Sequence, residues 1–578
     1  MGTTTVVRVI WDKDNMSHAN VNPADPNTIP KFVDKLPVPQ PAQPVGKIDG
    51  KDYYEIQMVE ARHCFHKLFP PTKIWGYNGT CPGPTFDIQK DQVINVKWIN
   101  SLPLEQFLPV DHTLHGAIDT YSGRSVVHLH GANVAADSDG YPEAWFTCGY
   151  RYTGPAFKRK VYEYTNHQQG TTLWYHDHSM GITRLNVYAG LAGLYLIRDA
   201  LEKRLKLPDG EYEIPLMLQD KSFNTDGSLF YPDTPPFPVS VKPSVVPAFI
   251  GNTIAVNGKL WPYLPVEPRK YRFRVLNGSN TRAYTLSFSE GVKFYQIGTD
   301  GGLLDKPVLL DSIILEPAER TDIIVDFSTL KGKVITLLNE DTDPNTSVVM
   351  QFRVNVPMKG PDTSQIPEEL HPMDSLDENM ARKTRIMTLS ASTDEYGRPM
   401  LMLNNMMWSD PTTEKPELDS IEVWNILNLT AFPHPIHVHL VQFRIIDRRP
   451  FDVQLYQQEG KIVYTGPAVP PAPYERGWKD TFRAEPGMAN RIIMHFKDHA
   501  GDYVWHCHIL EHEDHDMMRP LKVVKDSFPV CDCCMSPHED TGSHGHMPTA
   551  EKSPEHAPAA AVMEDNDEVE RKDIMESV

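Results

Sequence analysis

Cysteine is scarce in this chain: seven in 578 residues, too few for a small disulfide-built scaffold. Cys64, Cys81 and Cys148 lie in the first third, where buried free thiols are expected. None occurs between Cys148 and Cys507. Long apolar runs are also missing, so no membrane-spanning helix of about 18 such residues is expected. The start, "MGTTTVVRVIWDKDNMSHAN", has no basic segment followed by an apolar one, and no secretory signal is visible. Val6 stands where a myristoylation signal needs Ser or Thr. Positive charge is in deficit, 56 Lys and Arg against 76 Asp and Glu, for a net −20. That balance argues against nucleic acid, whose phosphates need a basic face. Twelve acids and three bases fall between Cys531 and Val578, so nine of the negative charges belong to a tail that reads as disordered.

What is present is strand pattern. Fifty prolines and repeated period-2 runs indicate an all-β protein. "RKYRFRVLN" alternates Tyr271, Phe273 and Val275 with Arg272 and Arg274, as a half-buried antiparallel strand would. "QVINVKWIN", "TDIIVDFS" and "RIIMHF" read as strands too, whereas long helical periodicity is rare. A Pro-rich lead-in, expected to be extended rather than folded, a charged break near residue 200 and a polar linker at 358–384 divide the chain. The expected layout is an extension at 1–29, β units at 30–199, 206–357 and 385–526, and the tail at 527–578.

Histidine respects this division. The first unit carries "HLH" and "HDH", the third "HPIHVH" and "HCH", while the middle unit with its linker has only His371. Residues i and i+2 of a strand face the same way. Four pairs therefore each aim two imidazoles together: His128 with His130, His176 with His178, His437 with His439, and His506 with His508. One such pair is ordinary in a core or a zinc enzyme. Four, split between two units, point to a shared metal cluster, with the middle unit as spacer or wall.

"YVWHCHILEHEDHDMM" sharpens this. Cys507 lies between His506 and His508, so it faces the opposite side of the strand and serves a different metal. His434 and His512 can join it, with Met517 as a long axial ligand. Two His, one thiolate and a weak Met describe a blue-copper electron-transfer site, whereas zinc would use four firm ligands or an open water position. The peptides flanking Cys507 lead to His506 and His508 and so to a second centre of eight imidazoles, enough for three copper ions. A site that delivers electrons singly to a cluster storing four matches reduction of dioxygen to two waters.

These motifs, with "VVHLHGANVAADSDGYPEAWFT", "LWYHDHSMGITRLNVYAGL" and "HPIHVHLVQFRIIDRRPFDV", resemble multicopper oxidases over residues 30 to 525, in wording most like bacterial spore-coat laccases with bilirubin-oxidase activity. The resemblance implies three cupredoxin-like Greek-key β-barrel domains and four copper ions: one type 1, one type 2 and a type 3 pair. It assigns His434, Cys507, His512 and Met517 to type 1, and His128 and His437 to type 2. Type 3 then takes His130, His176, His178, His439, His506 and His508. It also places Asp139 beside the type 2 copper and makes Glu513 the carboxyl that supplies protons. Spacing alone leaves His515 and Met518 as competitors of His512 and Met517; only the resemblance selects between them. Trp174 and Trp505 read as barrel packing.

The implied activity is single-electron oxidation of phenols, aromatic amines or bilirubin by a monomer, with dioxygen as acceptor. An oxidase of Cu(I) or Fe(II) is the alternative, with a structural coat or copper-storage protein further behind. The implied route is cytosolic synthesis with delivery to a spore coat. Two departures stand out. The disulfide some relatives carry in the middle domain has no cysteines here, and "CDCCMSPHEDTGSHGHM" extends beyond the resemblance.

Overall fold

The computed structural model describes residues 23–118 and 121–525. Most of the expected N-terminal extension and the whole acidic tail, with Cys531, Cys533 and Cys534, lie outside the described residues. Regular structure is overwhelmingly strand, and the longest α-helices, Thr183–Ala189 and Val453–Glu459, have seven residues each. No helix among the described residues is long and apolar enough to cross a membrane.

Three successive stretches each build two sheets. Strands between Gly46 and Arg198 form a five-stranded and a four-stranded sheet. Those between Glu213 and Arg353 form sheets of seven and five strands, and those between Lys383 and Val523 form sheets of five and four. Within the first stretch the two sheets close over Tyr77, Phe86, Trp98 and Tyr175, whose ring centroids lie 4.8–6.2 Å apart. The first and middle stretches share one continuous apolar core, while the third has its own around Trp424, Phe482 and Trp505.

Three details differ from expectation. The strand Lys270–Asn277 is not half-exposed: Arg272 and Arg274 are buried, because Asp322, Glu202 and Glu213 pair with their guanidinium groups. Burying a charge is tolerable only when it is paired in this way. It pairs in parallel with Glu213–Lys221 and antiparallel with Arg320–Asp326. The Pro-rich lead-in is packed onto the fold, bridging Lys35 to Tyr263 and Pro41 to Thr85, with Ile29 and Leu36 buried. Of the early cysteines only Cys81 is buried; Cys64 is half-buried and Cys148 exposed, and all three are free.

Candidate metal centres

The histidine pairs sit on two four-stranded sheets that meet. In the first, Val127–His130 pairs antiparallel with Thr171–Asp177, setting His128 opposite His176 and Leu129 opposite Tyr175. In the second, His434–Val438 pairs with Gly501–Cys507, setting His437 opposite His506 and Ile436 opposite Cys507. Alternation does the sorting. Leu129, Leu173 and Tyr175 enter one core, and Ile436, Val438, Trp505 and Cys507 the other. The intervening histidines face the gap between the sheets. There His128 stacks on His439 at 3.8 Å between centroids, and His130 on His437 at 3.6 Å.

On the core side, Cys507 Sγ lies 3.6 Å from His434 Nδ1 and 3.6 Å from His512 Nδ1. Metal bonds of about 2.0 Å to nitrogen and 2.3 Å to sulfur at trigonal angles would put the two donors roughly 3.7 Å apart. The spacing suits ligands of one ion better than hydrogen bonds. His434 Nε2 meets Thr430 Oγ1 at 2.9 Å and the His512 ring bonds the Pro247 backbone, which fixes both rings. Burial pushes the Cys507 thiol well above its ordinary range, and a bound cation is what would hold it as thiolate. Met517 is buried in the same apolar cluster, its carbonyl accepting from the Cys507 N–H at 3.0 Å. The competitors are engaged elsewhere. His515 Nε2 meets Asp394 at 3.1 Å, and Met518 pairs with His506 across the strands and packs with Met180, Trp408 and Val504.

Across the strand, the eight imidazoles are all buried. His128, His437 and His439 bring ring nitrogens within 4.8 Å of one another, as do His128, His130 and His176, and also His178, His439 and His506. His508 belongs to none of these triplets, but its ring lies 5.1 Å from His130 and 5.3 Å from His176. Several rings are tied by one nitrogen and left open at the other. His128 Nδ1 donates to the Asp139 carbonyl at 2.6 Å, His176 Nδ1 to the Asp177 carbonyl at 2.8 Å, and His437 Nδ1 to the Asp480 carbonyl at 2.8 Å. Their Nε2 atoms have no partner, nor has His130 Nδ1 or either His508 nitrogen. Buried polar atoms are rarely orphaned, and an inward ring of free imidazole nitrogens fits metal binding. Burial holds His176 and His434 at about 3 and most other rings well below their usual range. They are therefore in the neutral form that ligates.

Two carboxyls singled out in the sequence reach this cluster. Asp139 Oδ2 meets His439 Nδ1 at 2.7 Å, and burial raises its pKa well above the ordinary carboxyl range. Gly140 follows at φ 85°, where a Cβ would strike the Val127 carbonyl, so the turn that delivers Asp139 needs glycine. Glu513, on the short helix Leu510–Asp514, puts Oε2 3.0 Å from His506 Nδ1 and Oε1 3.4 Å from His178 Nδ1. Those are ion-pair distances, and neither oxygen has an aligned hydrogen bond.

Sequence reasoning missed Asp480 and Arg320. Asp480 Oδ1 lies 3.0 Å from His130 Nε2, and Arg320 grips its carboxylate at 2.7 and 2.5 Å. Arg320 belongs to the middle stretch, which is therefore more than a spacer. Nothing in "GWKDTF" or "ERTDII" marks these residues, because their partners lie 160 and 350 positions away. Trp174 also does more than fill a barrel, stacking on His176 at 4.1 Å.

A buried thiol facing two imidazoles, joined through one strand to a buried imidazole cluster, suits an electron-transfer copper protein. Comparison with known proteins agrees. Family profiles described as multicopper oxidase match residues 59–202 and 377–527. A laccase of Bacillus subtilis is 53% identical over 507 residues, covering 86% of this chain and 99% of its own. A laccase of Haloferax volcanii is 40% identical, covering 89% and 88%. The crystal structure of a Pediococcus acidilactici laccase superposes with a TM-score of 0.68 at 28% identity, covering 86% and 95%. The chain belongs to the multicopper oxidase family. It is a copper-dependent oxidoreductase that uses dioxygen, built from cupredoxin-like β domains.

Proposed function

We propose that this protein is a laccase-type oxidase that removes single electrons from phenols, aromatic amines or bilirubin: four phenols and one dioxygen give four phenoxyl radicals and two waters. The observation that carries the reading is the double-sided strand at Cys507, whose sulfur faces His434 and His512 while its neighbours His506 and His508 join the imidazole cluster. Four copper ions complete it. His434, Cys507, His512 and Met517 hold type 1; His128 and His437 hold type 2; His130, His176, His178, His439, His506 and His508 hold the type 3 pair. Copper supplies one-electron storage and the reduction of dioxygen.

The chain's own groups do the rest. His512, 5% exposed against none for His434, is the ligand nearest the surface and the entry point for electrons. The His506 Nδ1 contact with the Cys507 carbonyl, 3.0 Å, reinforces the covalent link between the two centres. Glu513, against His506 and His178, and Asp139, against His439, are the carboxyls placed to relay protons to the cluster. The working unit is a monomer with domains at 30–199, 206–357 and 385–526, made in the cytosol and delivered to a spore coat.

A metal-ion reductant is the competing reading. It is favoured by a cavity of about 390 Å³ in which Met400 and Met407 accompany His115, His515 and Asp516, since thioethers suit Cu(I). Oxygen uptake and kcat/KM for a methoxyphenol, bilirubin, Cu(I) and Fe(II) in one buffer decide between them. A specificity constant for the metal ions above that for every aromatic would overturn the laccase reading.

A further inference from the structure

We infer that Arg320, acting through Asp480, is a positioning residue for the imidazole cluster: it determines which nitrogen His130 turns toward copper. The proposal rests on the cluster assignment above and concerns only this chain's side chains.

The guanidinium of Arg320 is fully buried and all its donors are used. Nε donates to the Thr172 carbonyl at 2.9 Å, Nη1 to the Ala318 carbonyl at 3.1 Å and Asp480 Oδ1 at 2.7 Å, and Nη2 to the Asp300 carbonyl at 3.2 Å and Asp480 Oδ2 at 2.5 Å. It thus ties the strand bearing His176, the middle stretch and the strand paired with His437. A planar fork matches a carboxylate bidentately, so Asp480 is held in one orientation. Gly131, at φ 86°, lies so close that a Cβ there would strike Asp480 Oδ2 and Arg320 Nη2. The HLHG glycine is what admits the pair.

Asp480 is near enough to His130 and His437 to be considered a metal ligand itself. Four donors already engage this carboxylate, three at Oδ1 and one at Oδ2. Oδ1 receives Arg320, His130 Nε2 at 3.0 Å and Thr481 Oγ1 at 3.1 Å, while Oδ2 receives Arg320. A carboxylate gripped by a guanidinium accepts and does not donate. With the carboxylate at 3.0 Å and Thr481 Oγ1 at 3.1 Å, His130 carries its proton on Nε2, leaving Nδ1, which has no protein partner, as the donor to metal. The Asp480 carbonyl imposes the reverse on His437: Nδ1 is protonated and Nε2 is free. One residue thereby sets opposite tautomers on two stacked rings from different β units.

The test is chelator-resistant copper retention. Native holoenzyme, Asp480→Asn and Arg320→Lys are dialysed against graded chelator, with total copper per chain and the blue absorption of the Cys507 site followed separately. Losing a partner of this kind weakens metal affinity by roughly 10- to 100-fold. Asp480→Asn should therefore release cluster copper at correspondingly lower chelator while remaining blue. Arg320→Lys, which keeps the charge but not the fork, should shift the same way by less, and it decides the matter if Asp480→Asn does not fold. Release in step with the native protein overturns the inference, as does parallel loss of the blue absorption and the other copper. If the native protein holds copper only at the blue site, the cluster assignment itself fails.

Discussion

Glu513→Gln isolates the supply of protons from the supply of electrons. The substitution preserves side-chain shape but removes a carboxyl whose oxygens lie 3.0 Å from His506 Nδ1 and 3.4 Å from His178 Nδ1. Neither oxygen approaches the Cys507 site through a hydrogen bond, so reduction of the blue copper by substrate should proceed at its native rate. Reoxidation by dioxygen consumes four protons, and neutral imidazoles that bind metal cannot supply them. A positioned general acid contributes about 10²–10⁴ in rate. Asp139 also meets the cluster, at His439, and with a second carboxyl available for the task the lower figure is the expectation. Reoxidation should slow by about 100-fold, or ~2.7 kcal/mol at 1.36 kcal/mol per decade. Stopped-flow spectroscopy measures the two half-reactions separately, with copper content confirming full loading. Native-rate reoxidation in Glu513→Gln would refute the argument and leave Asp139 as the remaining carboxyl singled out in the sequence.

Cys507→Ser should abolish the blue absorption and all oxidase activity while circular dichroism still reports the β fold, because serine offers neither a soft thiolate nor its charge transfer. A blue or active variant would disprove the ligand set. Met517→Leu should stay blue and raise the reduction potential, since losing a weak sulfur donor destabilises the oxidised ion; an unchanged potential in redox titration would remove Met517 from the axial role. Away from the copper sites, burial lowers the Lys221 ammonium from 10.5 to about 8. The folded chain therefore releases this proton first, and between those values the unfolded chain binds more protons. By linkage this residue's contribution to stability rises with pH from about 8 toward 10.5. In thermal melts the native protein should gain on Lys221→Met across that interval, and parallel melting curves would contradict it.

Much of this protein is determined locally. A strand turns alternate side chains to opposite faces whatever it packs against. Hence the pairing of His506 with His508, and the separation of Cys507 from both, follow from the sequence alone. So does the gathering of histidine into the outer β units, as does the family resemblance. The tertiary structure decides what depends on distant partners. Arg272 and Arg274 look solvent-facing until Asp322, Glu202 and Glu213 arrive from other elements to neutralise them. His512 and His515 are equivalent by spacing, and in the structure the approach of His512 to Cys507 and the pairing of His515 with Asp394 separate them. Asp480 and Arg320 carry no local signature, because their role arises from a salt bridge between residues 160 positions apart. Alternation is a property of one strand's backbone, whereas the tautomer of His130 is a property of three β units meeting.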